Sequence, residues 1–172
     1  KDVTATKTWV DGNDNNRPTV EVELLQNNKP FTPAKTGTIA NGSVNYTWTG
    51  VRVNDENGKP YVYSVKETRI GGQNIVDGKA TADNKTYQVS YGNNGLSITN
   101  TLLTTVSGTK IWNHNGDEDY WPEGATVTVG LYTRVNNQDK LVMNGETAKT
   151  DTVNIQDETY SFSDLPKYDT AG

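Results

Sequence analysis

Short runs of alternating apolar and polar residues, interrupted by turn-forming residues, most constrain what this chain of 172 residues can fold into. Val, Thr and Tyr recur in these runs, and Gly, Asn, Asp and Pro stand between them. Alternation with a period of two is typical of half-buried β-strands, and no stretch has sustained helical periodicity. We therefore predict an all-β protein built as β-sandwiches, with at most a turn or two of helix.

Three polar residues on widely separated predicted strands fall at positions that face the interior: Lys7, Glu67 and Asn100. Alternate residues of a strand point to the same side, so each of the three shares a face with apolar neighbours. These neighbours are Val3, Ala5 and Trp9 for Lys7, Tyr61, Tyr63 and Val65 for Glu67, and Leu96, Ile98 and Leu102 for Asn100. An amine, a carboxyl and a carboxamide are costly in an apolar interior unless they meet. The pattern therefore predicts that they meet.

Contact between these three buried side chains would allow them to react. Burial favours the neutral amine of Lys7 and the protonated acid of Glu67. A neutral amine is a nucleophile that can attack the side-chain carbonyl carbon of Asn100, while Glu67 polarises that carbonyl and shuttles protons until ammonia leaves. The predicted product is a Lys7–Asn100 isopeptide bond. It forms in a single turnover of the chain on itself, so we expect a protein that is not an enzyme.

Each of the three positions has a second interpretation when it is taken alone. A lysine near the end of a strand often snorkels, with its stem over apolar surface and its ammonium in water. The shared inward parity of Lys7, Glu67 and Asn100 favours the joint site over this alternative.

The chain resembles the B-repeat (CnaB-type) domains of Gram-positive collagen adhesins and related surface proteins and pilins. The matching stretches follow the family's order between residues 3 and 101: Ala5–Trp9 with the polar loop 11–18, then Val20–Leu25, Tyr46–Gly50, Tyr63–Glu67 and Ile98–Thr101. The resemblance implies tandem inverse immunoglobulin-like (CnaB-type) β-sandwiches that act as stalk units. It also implies that Lys7 forms the bond, that Glu67 is the catalytic acid and that Asn100 is the acceptor.

A second copy of the pattern begins with Val106–Trp112, which repeats Val3–Trp9. Internal repetition of this kind is typical of an array of domains. Lys110 occupies the position that corresponds to Lys7, which makes it the candidate isopeptide lysine of the second copy.

We predict two domains from this repetition. Residues 1–103 form a CnaB-type β-sandwich with the intramolecular isopeptide bond, and residues 104–172 form the N-terminal part of a second sandwich. The chain stops at Gly172, before any counterpart of the acid or the acceptor. The second sandwich is therefore expected to be incomplete in this chain, and its bond cannot be placed.

Charge and composition exclude several classes of protein. Residues 1–103 carry 11 basic and 10 acidic side chains, and residues 104–172 carry 5 and 11. A nucleic-acid surface would need a clustered basic patch, so we expect no nucleic-acid partner. The chain has no cysteine, so an extracellular module would need a cross-link other than a disulfide. No signal peptide, membrane span or wall-anchoring tail is visible, and we expect a fragment of a longer secreted protein without membrane insertion.

Two polar loops, residues 11–15 and 113–119, place oxygen-bearing side chains at alternate positions, as calcium loops do. Neither has the glutamate that completes an EF-hand loop, and the same residues are common in hairpin loops. We therefore expect plain loops, no metal and no cofactor. His114 is the only histidine and lies in the second loop, which makes hydrolytic catalysis by a triad an unfavoured interpretation.

The expected function is a structural stalk module of a Gram-positive cell-surface adhesin or pilus-like protein, outside the cell and anchored to the cell wall. Its expected partners are neighbouring domains of the same protein, with host extracellular matrix or glycan as candidate ligands of the full-length protein. The alternative is a ligand-binding module that recognises a glycan or host matrix protein through residues 11–18 or 113–124. Trp121 in the second of these loops is the aromatic residue most expected to be exposed, whereas core packing is expected for Trp9, Trp48 and Trp112.

Overall fold

The computed structural model describes residues 1–113 and 124–170. Every regular element in these residues is a β-strand, which confirms the all-β prediction. Contacts divide the chain into two units, one formed by Lys1–Leu103 with the segment that starts at Pro166, and the other by Thr104–Leu165. No helix in the described ranges has the length and hydrophobicity needed to cross a membrane.

The first unit consists of two sheets. Its strands are β1 (Val3–Val10), β2 (Val20–Gln26), β3 (Lys29–Ile39), β4 (Asn45–Trp48), β5 (Tyr63–Ile70), β6 (Gln73–Asn74), β7 (Lys79–Ala82), β8 (Lys85–Tyr91) and the first part of β9 (Ser97–Thr109). One sheet has the order β4-β1-β9-β8-β7, and the other has the order β3-β2-β5-β6. Strands β1 and β9 are parallel, whereas the other neighbours are antiparallel.

The two sheets of the first unit share one apolar core. Val3 and Ile98 come from the first sheet, and Leu24 and Val65 come from the second, and all four belong to one buried cluster. Alternation along β1 explains this placement, because its odd-numbered residues from 3 to 7 are buried and its even-numbered residues from 4 to 8 are exposed. The first unit is therefore a β-sandwich whose inner faces are the ones that the period-two pattern marks.

Tight two-residue turns set the register of three hairpins. Asn27–Asn28, Asp83–Asn84 and Asn136–Asn137 connect consecutive strands, and both residues of each pair have φ between 50° and 62°. Positive φ at both central positions defines the type I′ turn, which Asn and Asp tolerate better than most residues. These pairs therefore explain why Asn and Asp stand at the closing turns of these three hairpins.

A β-bulge interrupts strand β5 next to a predicted site residue. Glu21 pairs with Arg69, but the adjacent Val22 pairs with Glu67, so Thr68 is an extra residue on β5. The burial of β5 changes parity at this point, because Glu67 and Ile70 both face inward although they lie three positions apart. A bulge re-aims side chains and frees backbone groups from the ladder. Here the bulge lets both Glu67 and Ile70 face the interior, although strict alternation would place them on opposite faces.

The second unit has smaller sheets. Its strands are β10 (Thr126–Gly130), β11 (Tyr132–Val135), β12 (Gln138–Leu141), β13 (Met143–Asn144), β14 (Thr147–Ala148), β15 (Thr150–Asn154) and β16 (Thr159–Pro166), with the last part of β9. The pairs are β10-β15, β11-β12 and β13-β14, and β16 pairs with β9. Val153 and Phe162 are its most buried apolar side chains.

Candidate functional site

Two of the predicted site residues lie on neighbouring parallel strands. Lys7 of β1 pairs with Ile98, and Trp9 pairs with Asn100 of β9. Lys7 and Asn100 therefore lie one pleat period apart on the same face of the sheet, where neighbouring side chains can reach each other. Both face the interior, and their exposed fractions are 4% and 0%.

Glu67 reaches the same place from the opposite sheet. Its exposed fraction is 1%, and it lies on β5 beside the bulge. The Asn100 Nδ2 donates a hydrogen bond to Glu67 Oε1 at 2.7 Å, and Lys7 Nζ is 4.0 Å from Glu67 Oε2. The structure thus brings the amine, the carboxyl and the carboxamide together inside the first unit.

Burial controls the protonation of this cluster. It lowers the pKa of the Lys7 amine to about 7, although the carboxyls of Glu67 and Asp11 act in the opposite direction. Burial also raises the pKa of the Glu67 carboxyl, against the influence of Lys7 and of the Asn100 hydrogen bond. Both effects have one cause, because a low-dielectric interior disfavours the charged form of an acid and of a base. The neutral amine and the protonated acid are therefore both favoured.

Two oxygen atoms of the cluster have no hydrogen-bond partner in the described part of the chain. They are Glu67 Oε2 and Asn100 Oδ1, and both are fully enclosed. Rotation of the Asn100 carboxamide by half a turn brings Oδ1 to the position beside Glu67 Oε1, where a protonated carboxyl donates to it. The two orientations of a carboxamide differ only in which atom is nitrogen and which is oxygen. In the second orientation Glu67 polarises the carbonyl carbon that an amine would attack.

Aromatic and backbone groups hold the Lys7 side chain in place. Its Nζ lies 4.0 Å from the centroid of the Trp9 ring and donates a hydrogen bond to Thr8 O at 3.0 Å. The Trp9 ring in turn meets the ring of Tyr87 edge to face, with centroids 5.2 Å apart. The amine is therefore held in position inside the unit, away from water.

Tyr91 supports Glu67 and was missed by the sequence analysis. Its hydroxyl oxygen accepts a hydrogen bond from the Glu67 backbone N–H at 3.0 Å. The signal in the sequence was the alternation of Tyr87, Val89 and Tyr91, which places the three on one face of β8.

A buried ion pair next to Trp9 was also missed. Asp11 has an exposed fraction of 3%, and Arg17 Nε and Nη2 each donate to one of its carboxylate oxygens at 2.8 Å. These residues belong to the polar loop 11–18, for which the sequence predicted a plain loop. The described residues contain no group of three or more His, Cys, Asp or Glu side chains that could hold a metal ion.

Lys110 in the second unit repeats the local geometry of Lys7. Its Nζ donates to Ile111 O at 2.5 Å and lies 4.5 Å from the centroid of the Trp112 ring. Lys110 is only half-buried, and no ion pair with an acid is found for it among the described residues. His114 and Trp121 lie outside the described residues, as does most of the loop 113–124.

Comparisons with known proteins agree with the repeated pattern. The family model for the Cna protein B-type domain matches residues 3–101 and again residues 106–172, so the chain contains tandem matches to one domain. A collagen adhesin of Staphylococcus aureus is 33% identical over 182 aligned residues, which cover 98% of this chain and 13% of that protein. The chain thus spans about an eighth of the length of this relative.

A solved structure is also similar. It is a single B repeat unit (B1) of the collagen-binding surface protein of Staphylococcus aureus, with 21% identity and a TM-score of 0.42. The alignment covers 100% of this chain and 80% of that one. Neither this match nor the collagen adhesin is named as an enzyme.

Proposed function

The chain belongs to the Cna protein B-type domain family, and we propose that it is a structural stalk module of a cell-surface adhesin whose first unit is closed by a Lys7–Asn100 isopeptide bond. The observation that carries the bond is the meeting of three buried groups: Asn100 contacts Glu67 at 2.7 Å, and Lys7 lies 4.0 Å from the same carboxyl. Burying three such groups in a core costs free energy unless they hydrogen-bond or pair with one another.

The proposed reaction is an amide exchange without oxidation or reduction. The lone pair of Lys7 Nζ attacks Asn100 Cγ while protonated Glu67 donates its proton to Oδ1. The Glu67 carboxylate then accepts a proton from Nζ and passes it to Nδ2, so that the bond between Cγ and Nδ2 breaks and ammonia leaves. Re-formation of the carbonyl returns the first proton to Glu67. One bond between Nζ and Cγ replaces the bond between Cγ and Nδ2.

The environment of the site favours this sequence of steps. A pKa of about 7 for Lys7 leaves a substantial fraction of neutral nucleophile near neutral pH. The raised pKa of Glu67 keeps a proton available for the carbonyl oxygen. Tyr91 holds the backbone of Glu67, so the carboxyl does not have to be reoriented before it acts.

The stalk role follows from where the bond would lie. Lys7 is on the first strand and Asn100 is on β9, the last strand of the first unit, and these two strands are parallel neighbours. Force that enters at the start of the first unit and leaves at its end would shear β1 against β9. A covalent bond between Lys7 and Asn100 would carry this force past the rest of the sandwich.

The family of the chain and its adhesin relative support a location outside the cell, on a surface protein attached to the cell wall. Neighbouring domains of that protein are the proposed partners. The similar protein is named a collagen adhesin, and this chain covers 13% of it. Host-matrix binding is therefore proposed for the longer protein, with this chain as a spacer.

Peptide mapping tests the bond. Proteolysis of the unfolded chain, followed by tandem mass spectrometry, should yield one branched peptide that joins the segment with Lys7 to the segment with Asn100. Lys66→Ala is a matched control, because it removes an exposed lysine of β5 next to Glu67 and should leave the branched peptide intact. Separate linear peptides containing unmodified Lys7 and Asn100 would refute the proposed bond.

Binding measurements test the stalk role separately. The chain should bind neither matrix proteins nor glycans in a panel. Retention of the chain on a matrix protein or glycan, lost on substitution within residues 11–18, would instead support the ligand-binding alternative.

A further inference from the structure

A buried carboxylate lies in the loop that follows the strand of the proposed nucleophile and takes no part in the proposed reaction. Asp11 follows β1 directly, and its side chain is fully enclosed. Both of its oxygens accept hydrogen bonds from Arg17 at 2.8 Å, and Oδ1 also accepts the Asp14 backbone N–H at 3.4 Å. A buried carboxylate is tolerated when it is paired in this way, and the two-pronged contact matches the guanidinium to both of its oxygens.

The indole of Trp9 lies next to the side chains of Lys7 and Arg17. Lys7 Nζ is 4.0 Å from the ring centroid, and Arg17 Cζ is 5.9 Å from the same centroid. A permanently charged guanidinium next to this ring disfavours a second cation there, so it favours the neutral form of the amine.

Among the described residues, three ionisable groups act on the Lys7 amine. Glu67 faces it from β5, and Asp11 and Arg17 face it from the loop after β1, while Asn100 on β9 is neutral. The carboxyls of Glu67 and Asp11 raise the pKa of Lys7, and Arg17 lowers it. Glu67 is itself held toward its neutral form by burial, which leaves Asp11 as the carboxylate that opposes release of the proton from Lys7.

The loop is anchored without the guanidinium of Arg17. The Arg17 backbone N–H donates to Asn41 Oδ1 at 3.3 Å, and Asn41 Nδ2 donates to Asn15 O at 2.9 Å. Lys85 forms an ion pair with Asp14 from β8. A change of the Arg17 side chain therefore leaves several attachments of the loop in place.

We propose that Arg17 is a positioning residue for bond formation: by binding both oxygens of Asp11, it prevents this carboxylate from holding Lys7 as an ammonium ion. The inference rests on the proposed isopeptide bond and adds a residue that controls when it forms. The Asp11–Arg17 pair acts on Lys7 through charge and makes no bond to the reacting atoms.

The pH dependence of bond formation tests this role. The full chain is made with a photocaged lysine at position 7, purified in urea, uncaged by light while unfolded, and refolded at pH values from about 6 to about 9. Samples are stopped in acid at successive times, and loss of ammonia is read by mass spectrometry. The variants are Arg17→Gln, Asp11→Asn and the double variant, with Arg69→Gln as a control that breaks an exposed ion pair with Glu21 in the same unit.

We expect the rising limb of the rate profile to move up by about one pH unit in Arg17→Gln, because the unpaired carboxylate then stabilises the ammonium form. In the double variant that carboxylate is absent, so the rising limb of the rate profile should lie within a few tenths of a pH unit of its position in the unmodified chain. Arg69→Gln should not move it. Circular dichroism of each refolded variant establishes that the profiles compare folded chains.

The outcomes separate this inference from the proposed function. If Arg17→Gln has the profile of the unmodified chain, or if the double variant is as impaired as Arg17→Gln, Arg17 has no electrostatic role and the inference is wrong. If the unmodified chain loses no ammonia at any pH, the proposed bond itself is wrong.

Discussion

Glu67→Ala should convert the first unit from a mechanically locked domain into one that unfolds under force. The variant keeps Lys7 and Asn100 as neighbours but removes the group that polarises the carbonyl and shuttles protons. Without the bond, the segment between positions 7 and 100 becomes free to extend. At roughly 3.5 Å per residue, this segment of about 90 residues adds about 320 Å of contour length.

The closed loop also has a thermodynamic effect. In the chain-entropy model a cross-link that closes a loop of about 90 residues lowers the entropy of the unfolded state by the equivalent of roughly 4 to 5 kcal/mol. The free energy of unfolding of the first unit should fall by about this amount when the bond is absent. Slow residual bond formation in Glu67→Ala is compatible with the mechanism, so each sample is scored by mass before it is measured.

Single-molecule pulling from the two termini of the 172-residue chain is the assay. The second unit contributes equally to both proteins, so the difference in total contour length reports the first unit alone. Lys66→Ala should retain the short extension of the unmodified chain. Equal contour lengths for the unmodified chain and Glu67→Ala would mean that no covalent bond spans the first unit, and the stalk mechanism would be refuted.

Three further predictions concern the buried groups. In Asn100→Ala no bond can form. Burial lowers the pKa of Lys7 in the folded chain to about 7, below its value in the unfolded chain. At pH values between these two pKa values, the unfolded chain therefore binds more protons than the folded chain. The free energy of unfolding should then rise as the pH increases from about 7 to about 10, and urea melts should show no such slope after Lys7→Met is added. Gly37→Ala should lower the stability of the first unit by about 1 to 3 kcal/mol in urea melts, because its Cβ would clash with the Tyr46 ring. Phe162→Ala should destabilise the second unit by about 3 to 5 kcal/mol in thermal melts while the mass of the chain still reports one lost ammonia.

Period-two patterning made the architecture of the first unit predictable. The side chains of a strand alternate between two faces, so the positions of Val3, Ala5 and Lys7 indicate the inner face of β1 without any structure. The roles assigned to Lys7, Glu67 and Asn100 remain predictions, which their burial and proximity favour.

Local pattern could not predict the supporting contacts. The bulge at Thr68 changes which side chains of β5 face inward, and a change of register depends on how β5 pairs with β2. Tyr91 reaches Glu67 across the sandwich, so their contact depends on the packing of two sheets. Neither the bulge nor the hydrogen bond from Glu67 to Tyr91 can be recognised from a single stretch of sequence.

The loop after β1 illustrates a second limit of composition. Loops rich in Asn and Asp are usually exposed, and the sequence predicted a plain loop here. Asp11 is nevertheless buried, because Arg17 supplies the charge and the two hydrogen bonds that make its burial tolerable. The partner is a basic residue six positions away, which a search for alternating acidic side chains does not consider.

Intact mass of the purified chain tests the central claim most directly, because formation of the Lys7–Asn100 bond removes one molecule of ammonia. We predict that the unmodified chain has the mass of its sequence less one ammonia, and that Lys7→Ala and Asn100→Ala each have their full calculated mass. An unmodified chain with the full mass of its sequence would contradict the account.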